Sequence, residues 1–319
     1  MNGLPSLRQL RYLVALADHG HFARAADSCH VTQSTLSVGI QELETKLGAP
    51  LVERRGRRTL LTPLGDEIAR RARALLADAT DLVETARSAR EPLTGTIQLG
   101  VIPTVSPYLL PRILPELRRR YPKLRLYLTE DQSDRIAAGL EEGRLDALLL
   151  ALPYELPGAE TMSLFDDPFV FACREDHPLA NETLLPVERL ADEPLLLLQD
   201  GHCLSDQAIA ACRLADRRGR APFAATSLPT LIQMVDNDLG VTLLPQLAID
   251  AGAIEGTAIK GCSLAGNPPP GREIALAWRR GSPRGEEFRL LGEAIGSLAQ
   301  PTGRAEIAQS RMDDRVSRA

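Results

Sequence analysis

A chain of 319 residues, 44% apolar and 25% charged with a net charge of −5, has the balance of a soluble globular protein of two or three domains, and no run approaches the roughly 18 apolar residues of a membrane span. Five cysteines, an odd number with no CxxC, argue against a disulfide framework or a zinc site and for a reducing cytoplasm, with no metal or other cofactor expected. Charge is uneven, with eight Arg/Lys against five Asp/Glu in residues 1–65 and a surplus of acid beyond, so binding to nucleic acid belongs to the N-terminal segment alone.

That segment breaks its apolar residues with Arg8, Gln9 and Arg11 and is not expected to be a signal peptide. Residues 5–18 read as a helix with Leu7, Leu10, Val14 and Ala17 on one face, ended by His19–Gly20. Phe22–Cys29 reads as a short second helix. After a turn at His30–Val31, Thr32 is placed to cap a third helix to about Leu47, in which Leu36, Ile40, Leu43 and Leu47 form the buried stripe. Gln33, Ser34, Thr35, Ser37, Val38 and Gln41 are left near the outward side, mostly short polar groups at a helix start, suited to base edges and phosphates of a major groove. Helix, short helix, tight turn and longer helix make helix-turn-helix geometry. Arg54, Arg55, Arg57 and Arg58 follow in a wing where they can meet phosphates. The plain alternative is a small helical domain with a solvated polar face.

Residues 63–91 read as one long helix in which Ile68, Ala72, Leu75, Ala79, Leu82 and Ala86 make a heptad seam. A seam of that length without a partner in its own domain predicts a dimer, and Pro92–Gly95 then break to a new domain. From Thr96 the pattern alternates between strand and helix: TIQLGVI, then SPYLLPRILPELRRRYP, then KLRLYLTE, then RIAAGLEEGRL, with LDALLLAL, PFVFACRE, LLLLQ, FAAT, GVTLLP and REIALAWR as further strands. The alternation predicts parallel sheets covered by helices, in two subdomains with a cleft between them. Thr104 after the first of these strands and Ser133 after the second stand where such sheets bind small polar ligands, although helix capping is the ordinary role of each. The polar tail from Pro301 reads as disordered.

Leu195–Cys212, LLLLQDGHCLSDQAIAAC, reads as a buried strand, a turn at Asp200–Gly201, an exposed His202–Cys203 pair and a helix capped by Ser205 or Asp206. At that helix start a partial positive charge, helped by a His202 imidazolium, favours the Cys203 thiolate, the form that attacks oxidants. Cys212 lies nine residues on, with Ile209 and Ala215 on one apolar face, the setting of an ordinary buried cysteine. Nine helical steps rise about 13.5 Å, whereas a disulfide needs Cα atoms about 4.4–6.8 Å apart. Pairing cannot be read from sequence, but these two thiols can join only if the helix unwinds.

The stretch LRQLRYLVALADHGHFARAADSCHVTQSTLSVGIQELETKLGAPLVER, followed by LLTPLG, resembles the LysR-type transcriptional regulators, and the resemblance runs over about 300 residues. Within that family, IPTVSPYLLPRILPELRRRYPKLRLYL and LLLLQDGHCLSDQAIAAC are similar to the hydrogen peroxide-sensing members. The resemblance implies a winged helix-turn-helix head (1–62), a linker dimerisation helix (63–93), an α/β regulatory domain of two subdomains resembling periplasmic binding proteins (94–300) and a tail (301–319). It implies Cys203 as peroxidatic and Cys212 as resolving cysteine, Thr104 and His202 beside the peroxide, and Ser133 where the pattern has Thr. It implies DNA contacts from Gln33, Ser34, Thr35, Ser37 and Arg54. As partners it implies promoter DNA, RNA polymerase, a glutaredoxin or thioredoxin as reductant, and a homotetramer built from dimers. Cys29, Cys173 and Cys262 match no such role and read as structural. Two readings compete: a regulator answering to an organic effector in the cleft, and a thiol peroxidase.

Overall fold

The computed structural model describes residues 4–55, 58–88, 93–199, 201–212 and 225–299. The side chains of Arg54, Arg55, Arg58, Thr59, Glu84–Ser88 and Asp192 lie outside the described set, as do the tail and the segment just after Cys212.

The head is α1 (Leu7–His19), α2 (Phe22–Ser28) and α3 (Gln33–Leu47), then a hairpin of β1 (Val52–Arg55) and β2 (Arg58–Leu61). Ser6 caps α1, with Gln9 reciprocating, and Thr32 caps α3 by accepting from the Thr35 amide, the local chemistry that starts a helix at these positions. Leu36, Ile40 and Leu43 are buried, while Leu47 is 39% exposed because α3 ends there, beyond reach of the head's core. At Gly39 α3 lies so close to α1 that a Cβ would stand 2.6 Å from the Tyr12 ring.

The long helix α4 (Pro63–Ser88) buries only the first part of its seam. Ile68 and Ala72 pack on the head's own core, contrary to a seam with no partner in its domain, because α4 folds back along α1. Leu75, Leu82 and Val83 remain 54%, 71% and 51% exposed. Ala86 lies outside the described side chains. Farther along, α4 meets the regulatory part through Asp81, which is 2% exposed. The Asp81 carboxylate faces Arg279 at 3.2 Å and Arg284 at 3.9 Å. Arg284 also pairs with Asp146 at 3.6 Å and Glu287 at 2.7 Å, and donates to the Thr96 carbonyl at 3.1 Å. Burial holds the Asp146 carboxyl above the usual carboxylate range.

In the first subdomain β3 (Gly95–Val101) lies between β4 (Leu124–Glu130) and β5 (Ala147–Leu152), all parallel, with α5 (Ser106–Arg120) and α6 (Ser133–Glu141) as crossovers. The chain then leaves along β6 (Ala159–Arg174), whose second half pairs antiparallel with β8 (Thr242–Pro245) and β9 (Ile259–Leu264), β9 pairing in turn with β7 (Leu184–Leu185). It returns as β10 (Gly271–Arg279), antiparallel to both β5 and the first half of β6, before α10 (Gly285–Ala299) closes the domain. The expected parallel sheets are therefore mixed. A chain that crosses into a second subdomain and comes back must run the return strand against the outgoing one. Among the described residues LLLLQ supplies only single parallel bridges, Leu195 to Val241 and Leu198 to Ala225, instead of a full strand, and Phe223 and Ala224 of FAAT lie outside the described set. The second subdomain adds α7 (Cys203–Ala211), α8 (Leu228–Asp236) and α9 (Gln246–Asp250). One continuous apolar core runs through both subdomains and a separate one fills the head. Among the described residues no helix is long and apolar enough to cross a membrane.

Candidate functional site

Thr104 follows β3 and Ser133 opens α6 after β4, so both stand at the carboxyl ends of adjacent parallel strands, where such sheets leave a crevice. From the second subdomain the Leu195–Leu198 segment delivers the chain to Gly201. This residue takes φ +95, and a side chain there would run into Gln132 at 2.9 Å, so only glycine makes this turn without strain. His202 is the N-cap of α7 and Cys203 its first residue.

The turn is not exposed as expected: His202 and Cys203 are 8% and 9% exposed, because α7 lays its Cys203, Leu204 and Ala208 into the core. Neither Ser205 nor Asp206 caps α7. Ser205 donates its Oγ to the Leu198 carbonyl at 2.9 Å, which ties the helix to the strand segment before it.

Arg272, at the start of β10, gathers the site. Its guanidinium donates Nη1 to Thr104 Oγ1 at 2.7 Å and Nη2 to the Thr104 carbonyl at 3.1 Å. Its Nε donates to Asp167 Oδ2 at 3.0 Å, and Asp167 Oδ1 accepts the Leu247 amide at 2.8 Å. Burial pushes the Cys203 thiol up, and the Ser133 hydroxyl bonded to it, the Arg272 charge and the residue's own amide at the helix start pull it back only in part, with Asp206 adding a small upward push. Against the expected pull toward a thiolate, desolvation opposes the anion at this helix end. His202 is displaced the same way. Burial lowers its pKa, so it is a neutral imidazole hydrogen-bonded to the Thr226 backbone, and the cation beside Cys203 is Arg272.

Cys212 closes α7 at its C-cap, 2% exposed, its thiol pushed up to about 11 by burial. All five cysteines are free thiols. With α7 intact, Cys203 and Cys212 stand at opposite ends of a helix whose nine steps rise about 13.5 Å. Gln207, one turn beyond Cys203, is buried and donates Nε2 to the carbonyls of Ala151 at 2.8 Å and Pro153 at 3.3 Å, pinning α7 to the first subdomain, while its Oε1 finds no partner among the described residues. Sequence reasoning missed Arg272, Asp167 and Gln207. A signal existed for Arg272, a charge at the first position of the strand read as REIALAWR, which a core strand tolerates only with a buried partner, whereas Asp167 falls just before the strand read as PFVFACRE.

In the head, Gln33 and Ser34 are exposed and Thr35 and Ser37 half-buried, at the start of α3. Thr32 Oγ1 lies 2.9 Å from Ser34 Oγ and 2.8 Å from Thr35 Oγ1, which orders these hydroxyls. The Arg54 backbone sits in β1, but its side chain lies outside the described residues.

Family models match both parts: the LysR substrate binding domain over residues 90–300, and the bacterial regulatory helix-turn-helix of the lysR family over residues 7–66. The DNA-binding transcriptional dual regulator OxyR of Escherichia coli (strain K12) is 45% identical over 295 residues, covering 91% of this chain and 94% of that protein. Among solved structures, a full-length cysteine-to-aspartate variant of OxyR from Pseudomonas aeruginosa is similar with a TM-score of 0.78 and 36% identity, over 93% of this chain and 100% of that one. A hydrogen peroxide-bound cysteine-to-serine variant of OxyR from Corynebacterium glutamicum is similar with a TM-score of 0.64 and 35% identity, over 94% of each chain.

Proposed function

Since the chain belongs to the LysR family of bacterial transcriptional regulators, we propose that it is a hydrogen peroxide-sensing regulator whose sensor is the Cys203–Cys212 pair. The observation that carries this reading is the placement of the two thiols. One is held beside a hydroxyl and a cation at the start of α7, the other is buried at its far end. Peroxide is small and uncharged, so the hydroxyls of Thr104 and Ser133 and the neutral His202 suffice to hold it. The Cys203 sulfur attacks one peroxide oxygen, the O–O bond breaks, and the other oxygen leaves as water with the thiol proton, giving a sulfenic acid. The Cys212 thiol then displaces the sulfenic oxygen, also as water, and the disulfide forms. That step requires α7 to unwind, Gln207 to release β5 and the regulatory domain to repack, which alters DNA binding and the transcription of antioxidant genes.

Peptide mapping by mass spectrometry after one equivalent of peroxide tests this. The expected product is the Cys203–Cys212 disulfide, reversed by glutaredoxin or thioredoxin, and unmodified Cys203 would end the proposal. A second reading draws on the cleft of ≈ 950 Å³ beside the hinge, lined by Pro153, Tyr154, Pro268 and Arg272, large enough for an organic effector. Cys203→Ser retaining the full peroxide response in a reporter assay would favour it. Sustained peroxide turnover with a reductant would instead favour a thiol peroxidase, whereas the relatives are transcription regulators.

The proposed division is a DNA-binding head at 1–62, a linker helix at 63–93 and a regulatory domain at 94–300. Gln33, Ser34, Thr35 and Ser37 enter the major groove of promoter DNA, and Arg54 reaches a phosphate. Arg54→Ala is expected to weaken all sequences alike and to reduce the slope of log affinity against log salt by about 0.9; altered sequence preference with an unchanged slope in fluorescence anisotropy would reassign it. The exposed Leu75, Leu82 and Val83 of α4 form the seam of a dimer, and dimers pair through regulatory domains into a tetramer that acts with RNA polymerase in the cytoplasm. Light scattering on Leu82→Glu is expected to show dissociation, and a monomeric wild type at micromolar concentration would remove the seam.

A further inference from the structure

We propose that Asp167 is a positioning residue for the oxidation of Cys203, acting through Arg272 on Thr104; the proposal rests on the peroxide-sensing reading above. Asp167 lies on β6 where the strand passes between subdomains, directly opposite Arg272 in the β6–β10 pair. Its side chain is 1% exposed and that of Arg272 fully buried. Both carboxylate oxygens are committed: Oδ2 accepts Arg272 Nε at 3.0 Å, and Oδ1 accepts the Leu247 amide at 2.8 Å, from the first turn of α9 in the second subdomain. A guanidinium is a rigid planar fork, so gripping one edge orients the other. The free edge then meets Thr104 twice, at its hydroxyl and at its carbonyl. Because the Thr104 hydroxyl oxygen already accepts from Arg272, its own proton points elsewhere and is free to donate. The reaction needs such a donor, since the peroxide oxygen that departs when the O–O bond breaks gathers negative charge until it takes a proton.

Asp167 also sets how much of the Arg272 charge Cys203 feels. Cys203 is faced by Ser133 from α6, Arg272 from β10, Asp206 from its own helix and Tyr154 after β5. Asp167 is faced by Arg272, by Asp250 of α9 and by the Leu247 amide. Removing its charge while keeping its shape therefore does two opposed things. It bares the cation to Cys203, and it frees the fork that holds Thr104. A general loosening of the core would do only the second.

Full-length reduced Asp167→Asn tests this by the pH profile of Cys203 alkylation with iodoacetamide, which gives the thiol titration, and by the peroxide rate constant measured above that titration. The Cys203 thiol is expected to titrate about one pH unit lower than in wild type, while the peroxide rate constant of the thiolate falls at least about tenfold, the scale of one mispositioned proton donor. Both quantities unchanged, or a rate that rises in step with the thiolate fraction, overturns the positioning role. Arg272→Lys is the second variant, and it decides alone should Asp167→Asn fail to fold by circular dichroism. It keeps a cation but has no fork, so the rate falls by a similar factor without a lowered titration; a wild-type rate in Arg272→Lys overturns the proposal. The underlying reading fails separately, in the wild type, if Cys203 does not react with peroxide at all.

Discussion

In Cys212→Ser protein, peroxide is expected to stop at the Cys203 sulfenic acid, with the amides of residues 204–212 keeping their protection from hydrogen exchange. In wild type those same amides are expected to lose protection by at least about tenfold once the disulfide closes, because a locally melted helix exchanges from a low-lying open state. In Cys203→Ser neither change is expected. The reasoning is geometric. Cys203 and Cys212 bound an α7 that is helical throughout, with the Cys212 amide donating to the Ala208 carbonyl at 3.1 Å. Their separation of about 13.5 Å along the axis exceeds the reach of a disulfide by a factor of about two. The first oxidation needs no such movement, since Ser133 and Arg272 already stand at the sulfur. Sulfenic acid trapping by dimedone and exchange mass spectrometry read the two steps apart. Peroxide-dependent loss of protection over 204–212 in Cys203→Ser would place the switch elsewhere.

Asp81→Ala is expected to lower stability to urea by about 3 kcal/mol, the lower part of the range for breaking a buried ion pair from one side. Asp81 faces Arg279 and Arg284, and its removal leaves the partly buried Arg279 without its carboxylate. Arg284 keeps Asp146 and Glu287, so the loss falls chiefly on Arg279, which retains the carbonyls of Leu140 and Leu145 at 3.3 and 2.8 Å. An exposed pair such as Arg289 with Glu286 is the control, worth at most about 1 kcal/mol. A loss from Asp81→Ala no larger than the control's would mean that Arg279 reaches water once the carboxylate is gone.

The elements with strong local signals were legible. Thr32 as cap, the Leu36–Ile40–Leu43 stripe and the strand–helix alternation after Thr96 all follow from neighbouring residues, and the structure keeps them. The positions of Thr104 and Ser133 at strand ends followed from the same alternation. What escaped is non-local. Arg272 and Asp167 are 105 residues apart, and nothing near either one announces the other. The antiparallel β10 was hidden for the same reason: strand direction depends on where the chain returns, which periodicity does not encode. The burial of the His202–Cys203 pair was not legible either, because burial, not sequence adjacency, decides which charges face the sulfur, and here that is Arg272.

The clasp at Asp81 turns α4 into a rod with a fixed end. Between Asp66 and Asp81 the helix contains neither glycine nor proline, so it resists bending. The eighteen steps from Pro63 to Asp81 make an arm of about 27 Å. A tilt of about 10° where the arm is clamped carries its far end through about 5 Å, more than the roughly 3.4 Å rise of one base pair. Rearrangements too small to disturb the regulatory core are thus magnified at the other end of the rod, in units of nucleotide steps.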